Sequence, residues 1–147
     1  MSSADSKTTP GSCLCGKIRY ELTGEPSFSN LCYCNSCRKV TGAIGMANSV
    51  FKKENFKLLS GAEHLRTYHD DSSQSGAALE RTFCASCGST MMTEHKTKLP
   101  DALIIPFGSM DVDPSKGDWV PSTEFFCKWK PSWLSTPDDT KKYHEQF

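Results

Sequence analysis

Seven of the eight cysteines in this 147-residue chain fall into three tight groups: Cys13-x-Cys15, Cys32-x-Cys34-x-x-Cys37 and Cys84-x-x-Cys87. Neighbours that close bridge each other poorly but converge readily on one metal ion. The fold must therefore bring distant turns together around metal. Cysteine makes up about 5% of the residues, below the roughly 8–10% of a disulfide scaffold in a short secreted chain. In a reducing compartment such thiols serve as metal ligands or catalysts rather than as bridges.

Cys13-x-Cys15 and Cys84-x-x-Cys87 have the form of two knuckles far apart in sequence, which together supply the four soft ligands of a closed structural zinc site. Gly16 and Gly88 follow the two pairs and leave the backbone free to turn N–H groups towards sulfur. Cys32, Cys34 and Cys37 supply three thiolates and leave one position of a tetrahedral ion open, which is the catalytic pattern. Zn²⁺ with three thiolates is a weaker Lewis acid than a His₃ site and suits a soft incoming thiol better than water. Two zinc ions per chain are expected. The competing reading gives all seven thiols a structural role, with Cys127 or a histidine closing the second site.

Lys+Arg and Asp+Glu number 17 each, so no long-range field steers the chain onto a polyanion. Nucleic acid is excluded as a first expectation. No run of about 18 apolar residues is present and the N-terminus lacks a signal-peptide core, which excludes a membrane-spanning helix and predicts a soluble, cytoplasmic protein. The length is that of one domain.

Residues 1–10 read as a disordered lead, 11–134 as the single folded domain, and 135–147 as a polar, loosely packed tail. Lys17 to Thr23 alternates with Ile18, Tyr20 and Leu22 on one face, the period of a half-buried strand. Further short strands are expected at 46–51, 56–59, 65–68, 79–83, 90–94, 102–107 and 124–129. Many short strands with polar turns predict a mainly β domain. Helix is confined to Asn35 to Gly42, where Gly42 ends it. His69 to Ala78 is expected as a solvated loop.

Arg38 follows Cys37 and is the candidate for gripping a substrate carboxylate, with a structural hydrogen bond as its ordinary alternative. Cys127 reads as a small core residue in an aromatic strand. His64, His69, His95 and His144 stand singly in polar surroundings and read as surface residues. The turn at Phe107 together with Trp129 and Trp133 is a candidate wall for an apolar pocket.

Gly11-Ser12-Cys13-Leu14-Cys15-Gly16-Lys17-Ile18-Arg19-Tyr20, then Cys32 to Ala43 (CYCNSCRKVTGA), then Phe83-Cys84-Ala85-Ser86-Cys87-Gly88, resembles the glutathione-dependent formaldehyde-activating enzyme and centromere protein V family. The turn at Phe107 to Asp111 and the stretch Pro121 to Leu134 agree with its C-terminal half. The resemblance implies a β-tent fold of curved antiparallel sheets stapled by zinc. It implies a structural zinc on Cys13, Cys15, Cys84 and Cys87 and a catalytic zinc on Cys32, Cys34 and Cys37. It also implies a carbon–sulfur lyase activity that joins glutathione reversibly to a small carbonyl compound. Residues after Cys37 look like the broad family rather than the formaldehyde-activating subgroup, and the basic, proline-rich extension of centromeric members is missing.

The expected function is a zinc-dependent carbon–sulfur lyase that activates a glutathione-like thiol for addition to a small carbonyl or other electrophilic carbon, with Cys32, Cys34, Cys37 and Arg38 at its catalytic site. A small-molecule substrate is the expected partner, and a homo-oligomer is compatible with the sequence. Two alternatives stand: a dehydratase, isomerase or lyase of the same fold acting on a larger secondary metabolite, and a non-catalytic zinc module that binds a protein.

Overall fold

The computed structural model describes residues 7–73, 76–117 and 119–146. Eleven strands and one α-helix follow one another as β1 (Thr8–Ser12), β2 (Arg19–Thr23), β3 (Phe28–Cys32), α1 (Asn35–Thr41), β4 (Met46–Lys52), β5 (Phe56–Ser60), β6 (Leu65–Asp70), β7 (Leu79–Cys84), β8 (Thr90–His95), β9 (Leu99–Pro106), β10 (Thr123–Phe125) and β11 (Lys141–Lys142). They form a three-stranded sheet, β1-β2-β5, and an eight-stranded sheet, β11-β10-β3-β4-β9-β8-β7-β6. Pairing is antiparallel except at one end of the larger sheet, where β10 runs parallel to both β3 and β11.

Side chains alternate across a strand, so each face of the large sheet carries its own set. Phe51 of β4 and Leu103 and Ile105 of β9 face the small sheet and pack there with Ile18, Tyr20 and Leu22. Fully burying aliphatic or aromatic side chains of this kind stabilises by about 1.5–3 kcal/mol each. Met91 joins this cluster through a bulge: β7 and β8 pair Thr82 with Met92 and then Phe83 with Thr90, leaving Met91 over. The opposite face carries the pairs Cys32 with Met46, Asn30 with Asn48, Arg81 with Thr93 and Leu79 with His95. That second face positions the site.

Several expectations are corrected. The lead is shorter than residues 1–10, because Thr8–Ser12 pairs along β2 as an edge strand; residues 1–6 lie outside the described residues. The tail is tied down: β11 adds to β10, and Thr140 is buried with its hydroxyl donating to Glu124 at 2.6 Å. His69 and Asp70 belong to β6 rather than to a loop, and residues 74 and 75 are outside the described residues. The strand expected over 124–129 ends at Phe125. Phe126 then takes left-handed backbone angles, φ 58° and ψ 45°, and Cys127–Trp129 forms a 3-10 turn. No helix among the described residues is long and apolar enough to cross a membrane.

Candidate functional site

β1 ends just before Cys13, and the turn that follows carries Cys15; β7 ends on Cys84, and the next turn carries Cys87. The four Sγ atoms lie within 4.8 Å of one another. Cys13 Sγ and Cys15 Sγ are 3.5 Å apart, and Cys15 Sγ and Cys84 Sγ are 3.9 Å apart. Four thiolates about 2.3 Å from a tetrahedral ion stand roughly 3.8 Å from one another, so this donor set fits such an ion. Gly16 and Gly88 both have positive φ, 78° and 79°, as the tight turns require. The Ser89 hydroxyl joins the two turns by accepting from the Leu14 N–H at 3.0 Å and lying 3.2 Å from Cys87 Sγ. These Ser89 contacts draw the Cys87 thiol down to about 5.

The second group sits where β3 runs into α1. Cys32 is the last residue of β3; Cys34 is the helix N-cap, its Sγ accepting from the Cys37 N–H at 3.3 Å; Cys37 lies in the first turn. One short helix therefore converts the spacing C-x-C-x-x-C into three converging sulfurs, again within 4.8 Å of one another. All three are buried. The Cys32 and Cys37 thiols donate to Cys34 Sγ and, with the Cys37 N–H and the nearby Arg81 charge, pull the Cys34 thiol down to about 3. Sharing with Cys34 pushes Cys32 up to about 12, and Cys37 is raised chiefly by its bond with Cys32. The donor set fits a thiophilic ion with three protein ligands. Among the described residues no histidine, carboxylate or further cysteine joins either group. The closed alternative through Cys127 or a histidine thus finds no ligand: Cys127 is half-buried, its Sγ 3.7 Å from the Glu124 carbonyl oxygen.

Cys32 and Cys34 are held through the residue between them. The Tyr33 N–H donates to the Phe125 carbonyl at 3.0 Å, and its hydroxyl donates to Glu124 Oε1 at 2.7 Å. Glu124 is fully buried, takes hydroxyl bonds from Thr136 and Thr140, and pairs with Lys130 at 2.9 Å and Lys142 at 3.4 Å. Burial alone would raise its carboxyl, but these partners outweigh burial and hold it at about 2. Arg38 is also structural in placement. Its Nε donates to the Tyr33 carbonyl at 3.0 Å, and its guanidinium lies 5.7 Å from the centre of the Trp129 ring.

The three thiols open onto a cavity of ≈ 70 Å³. Its apolar lining includes Phe28, Met46, Val50, Leu79, Phe125 and Phe126. The left-handed turn at Phe126 is strained for a bulky residue, at a cost of about 1–3 kcal/mol, and it holds that ring against the thiol cluster. The expected wall of Phe107, Trp129 and Trp133 is corrected. Phe107 stacks on Trp119 elsewhere, Trp129 stacks on Phe126 without lining the cavity, and Trp133 is 71% exposed.

Asn48, Arg81, Thr93 and His95 line the same cavity, and each is at least nine-tenths buried. The surface placement expected for His95 is corrected: it follows Thr93 by two residues on the inner face of β8, so the pleat turns it inward. Burial and then Lys98 lower its pKa and keep the ring neutral. Arg81 pairs through Nε with buried Asp70 at 2.8 Å. The cavity-lining arginine is thus Arg81 and not Arg38. No motif marked these residues in the sequence; the alternation of β7 and β8 was the available signal.

A mainly antiparallel β domain with a four-thiol group joining two turns and a three-thiol group on a cavity defines a metal-competent, thiol-rich class of small β protein. The chain belongs to the glutathione-dependent formaldehyde-activating enzyme family, which it matches over residues 8–129. In fold it is similar to a Rhodobacter sphaeroides protein of known crystal structure, with a TM-score of 0.58 at 20% identity, covering 76% of this chain and 97% of that one.

Proposed function

We propose that the protein is a zinc-dependent enzyme of the carbon–sulfur lyase type that activates a glutathione-like thiol for reversible addition to a small carbonyl compound. The carrying observation is the trio Cys32, Cys34 and Cys37, three buried sulfurs facing a cavity with no fourth protein ligand among the described residues. Family membership supports the glutathione-related carbon–sulfur chemistry. In this reading Cys13, Cys15, Cys84 and Cys87 hold the structural zinc and Cys32, Cys34 and Cys37 the catalytic one. Zinc in the three-thiol site would supply a thiophilic position that lowers the pKa of an incoming thiol and leaves it nucleophilic.

The chain's own residues do the remaining work. Glu124 and Arg38 fix Tyr33 and so fix the two cysteines beside it. Phe125, Phe126 and Met46 pack against the sulfur cluster and give it apolar surroundings, in which charge interactions are stronger than in water. A water needs roughly 10–15 Å³ of such space, so the cavity has room for about five waters. That size supports a small electrophile over a large secondary metabolite.

The test is metal analysis and X-ray absorption on protein purified under reducing conditions, beside an assay of thiol addition to formaldehyde. The expected result is two zinc ions per chain, one with four sulfurs and one with three sulfurs plus a lighter or exchangeable neighbour. Mild chelation should remove the second ion with the activity and leave the fold. Two four-sulfur sites, or two ions lost together with unfolding, would overturn the reading.

A further inference from the structure

Four buried side-chain atoms have no hydrogen-bond partner among the described residues: Asn48 Oδ1, Arg81 Nη2, Thr93 Oγ1 and His95 Nε2. All four residues line the cavity that the three thiols face. An unpaired buried polar atom is costly, and four in one chamber mark a place where a ligand completes the bonding. β-Sheet register explains how they meet. Arg81 on β7 stands directly opposite Thr93 on β8, and His95 follows on the same face. Asn48 reaches the chamber from β4, beside Asn30, whose Oδ1 accepts from Asn48 Nδ2 at 3.4 Å.

Their chemistry is mostly that of donors. His95 Nδ1 accepts from the Lys98 N–H at 3.3 Å, which assigns the ring proton of the neutral imidazole to Nε2. Arg81 Nη2 offers two N–H groups, Thr93 one O–H and His95 one N–H, which makes about four donors from three side chains. The oxygen of a simple aldehyde accepts about two hydrogen bonds, whereas a carboxylate accepts about four. Asp70 balances the Arg81 charge through Nε, which leaves the Nη2 donors unpaired, and Lys98 is a further cation among the lining residues, a combination that favours an anionic acceptor.

We infer that Arg81, Thr93 and His95 form a carboxylate subsite, so that the electrophile is a short aldehyde or ketone bearing a carboxylate next to its carbonyl. The inference rests on the thiol-addition reading above and names the substrate class of that site. The donors hold the carboxylate, and the adjoining carbonyl carbon is then presented towards the three-thiol group. On addition the carbon–sulfur bond forms, the carbonyl π bond opens, and the proton released by the thiol ends on the former carbonyl oxygen. Asn48 Oδ1 is the acceptor for that new hydroxyl. The tripeptide's own carboxylates are a second source of the same chemistry; a cavity of ≈ 70 Å³ admits part of a tripeptide at most, and S-methylglutathione in the test separates the two sources.

The test is calorimetric binding to the metal-loaded protein without thiol, using glyoxylate, propanal and S-methylglutathione as probes. Glyoxylate should bind at least about tenfold more tightly than propanal, since a charge-assisted hydrogen bond is worth about that factor or more. Arg81→Gln should abolish the preference and Thr93→Val should weaken glyoxylate about three- to tenfold, with S-methylglutathione unaffected by either. Thr93→Val leaves the Asp70–Arg81 pair intact, so it decides the matter if the Arg81 variant fails to fold. Equal binding of glyoxylate and propanal, glyoxylate binding indifferent to Thr93→Val, or a Thr93→Val effect on S-methylglutathione alone would overturn the inference. Thiol addition to formaldehyde that persists without glyoxylate binding would sink this inference and leave the proposed function standing. Mutation-sensitive glyoxylate binding in a protein without thiol-addition activity would leave the carboxylate subsite standing and overturn the proposed function together with the electrophile assignment.

Discussion

The four-thiol group runs from core to surface, with Cys13 and Cys84 buried, Cys15 exposed and Leu14 beside it 87% exposed, whereas Cys32, Cys34 and Cys37 are all buried against a cavity. The first group draws its ligands from turns about seventy residues apart in sequence, the |i−j| of 69 between Cys15 and Cys84. The second draws all of its sulfurs from one β3–α1 junction. A tie across distant segments restrains the whole chain, while a local cluster restrains little beyond itself. In the proposed reading, metal at the first group would contribute to folding, and metal at the second would be left available for chemistry.

The largest expected effect breaks that contrast directly. Cys84→Ser should cost several kcal/mol and lower the melting temperature by well over ten degrees, because the small sheet loses its tie to β7. Cys34→Ser should abolish thiol addition with only a small shift in melting temperature. Thermal denaturation followed by circular dichroism, with metal content measured on both variants, checks the pair. A Cys34→Ser variant as unstable as Cys84→Ser would mean that both groups are structural.

The next effect lies in the scaffold of the second group. Glu124 carries two lysines, two threonines and Tyr33 in a fully buried position, and Glu124→Gln should cost about 3 kcal/mol by leaving Lys130 without its countercharge. The carboxyl is held at about 2 against an ordinary 4.5, so the native state binds its proton less readily than the unfolded chain. Its stabilisation is fully present above about pH 4.5 and is lost as pH falls towards 2. The wild type should therefore lose more stability than Glu124→Gln between those values in acid denaturation. Parallel curves would remove Glu124 from the account.

The two regions also differ in how legible they were. Both thiol groups, the α1 boundaries and most strands follow from spacing, from the Gly42 stop and from alternation in segments such as Arg19–Thr23. β3 (FSNLC) escaped because it lies between β10 and β4, with residues on both faces buried, and so shows no alternation. β1 escaped because Pro10 and Gly11 read as breakers, although an edge strand tolerates proline. The polar cavity residues escaped for a different reason. Arg81, Thr93 and His95 are polar residues at inward positions, and polarity reads as solvent exposure until strand register assigns the face. Glu124 escaped likewise, since its partners Tyr33, Thr140 and Lys142 come from separate segments that only the folded chain assembles.

The smallest expected effect concerns Arg38, whose sequence position beside Cys37 suggested a substrate anchor. Its Nε bond to the Tyr33 carbonyl and its guanidinium over the Trp129 ring place it outside the residues that line the cavity. Arg38→Ala should then cost about 1 kcal/mol in stability, the worth of one hydrogen bond with some lost packing. In kinetics a positioning residue and an anchor separate cleanly. Loosened geometry at Cys32 and Cys34 lowers kcat while leaving KM for the thiol in place, whereas loss of an anchor raises KM. The expected outcome is a fall in kcat of a few-fold with KM unchanged, partly rescued by Arg38→Lys through its remaining donor. A KM for glutathione raised about tenfold at constant kcat would return Arg38 to the substrate side of the site, and the contrast between a buried chemical cluster and its supporting shell would need to be redrawn there.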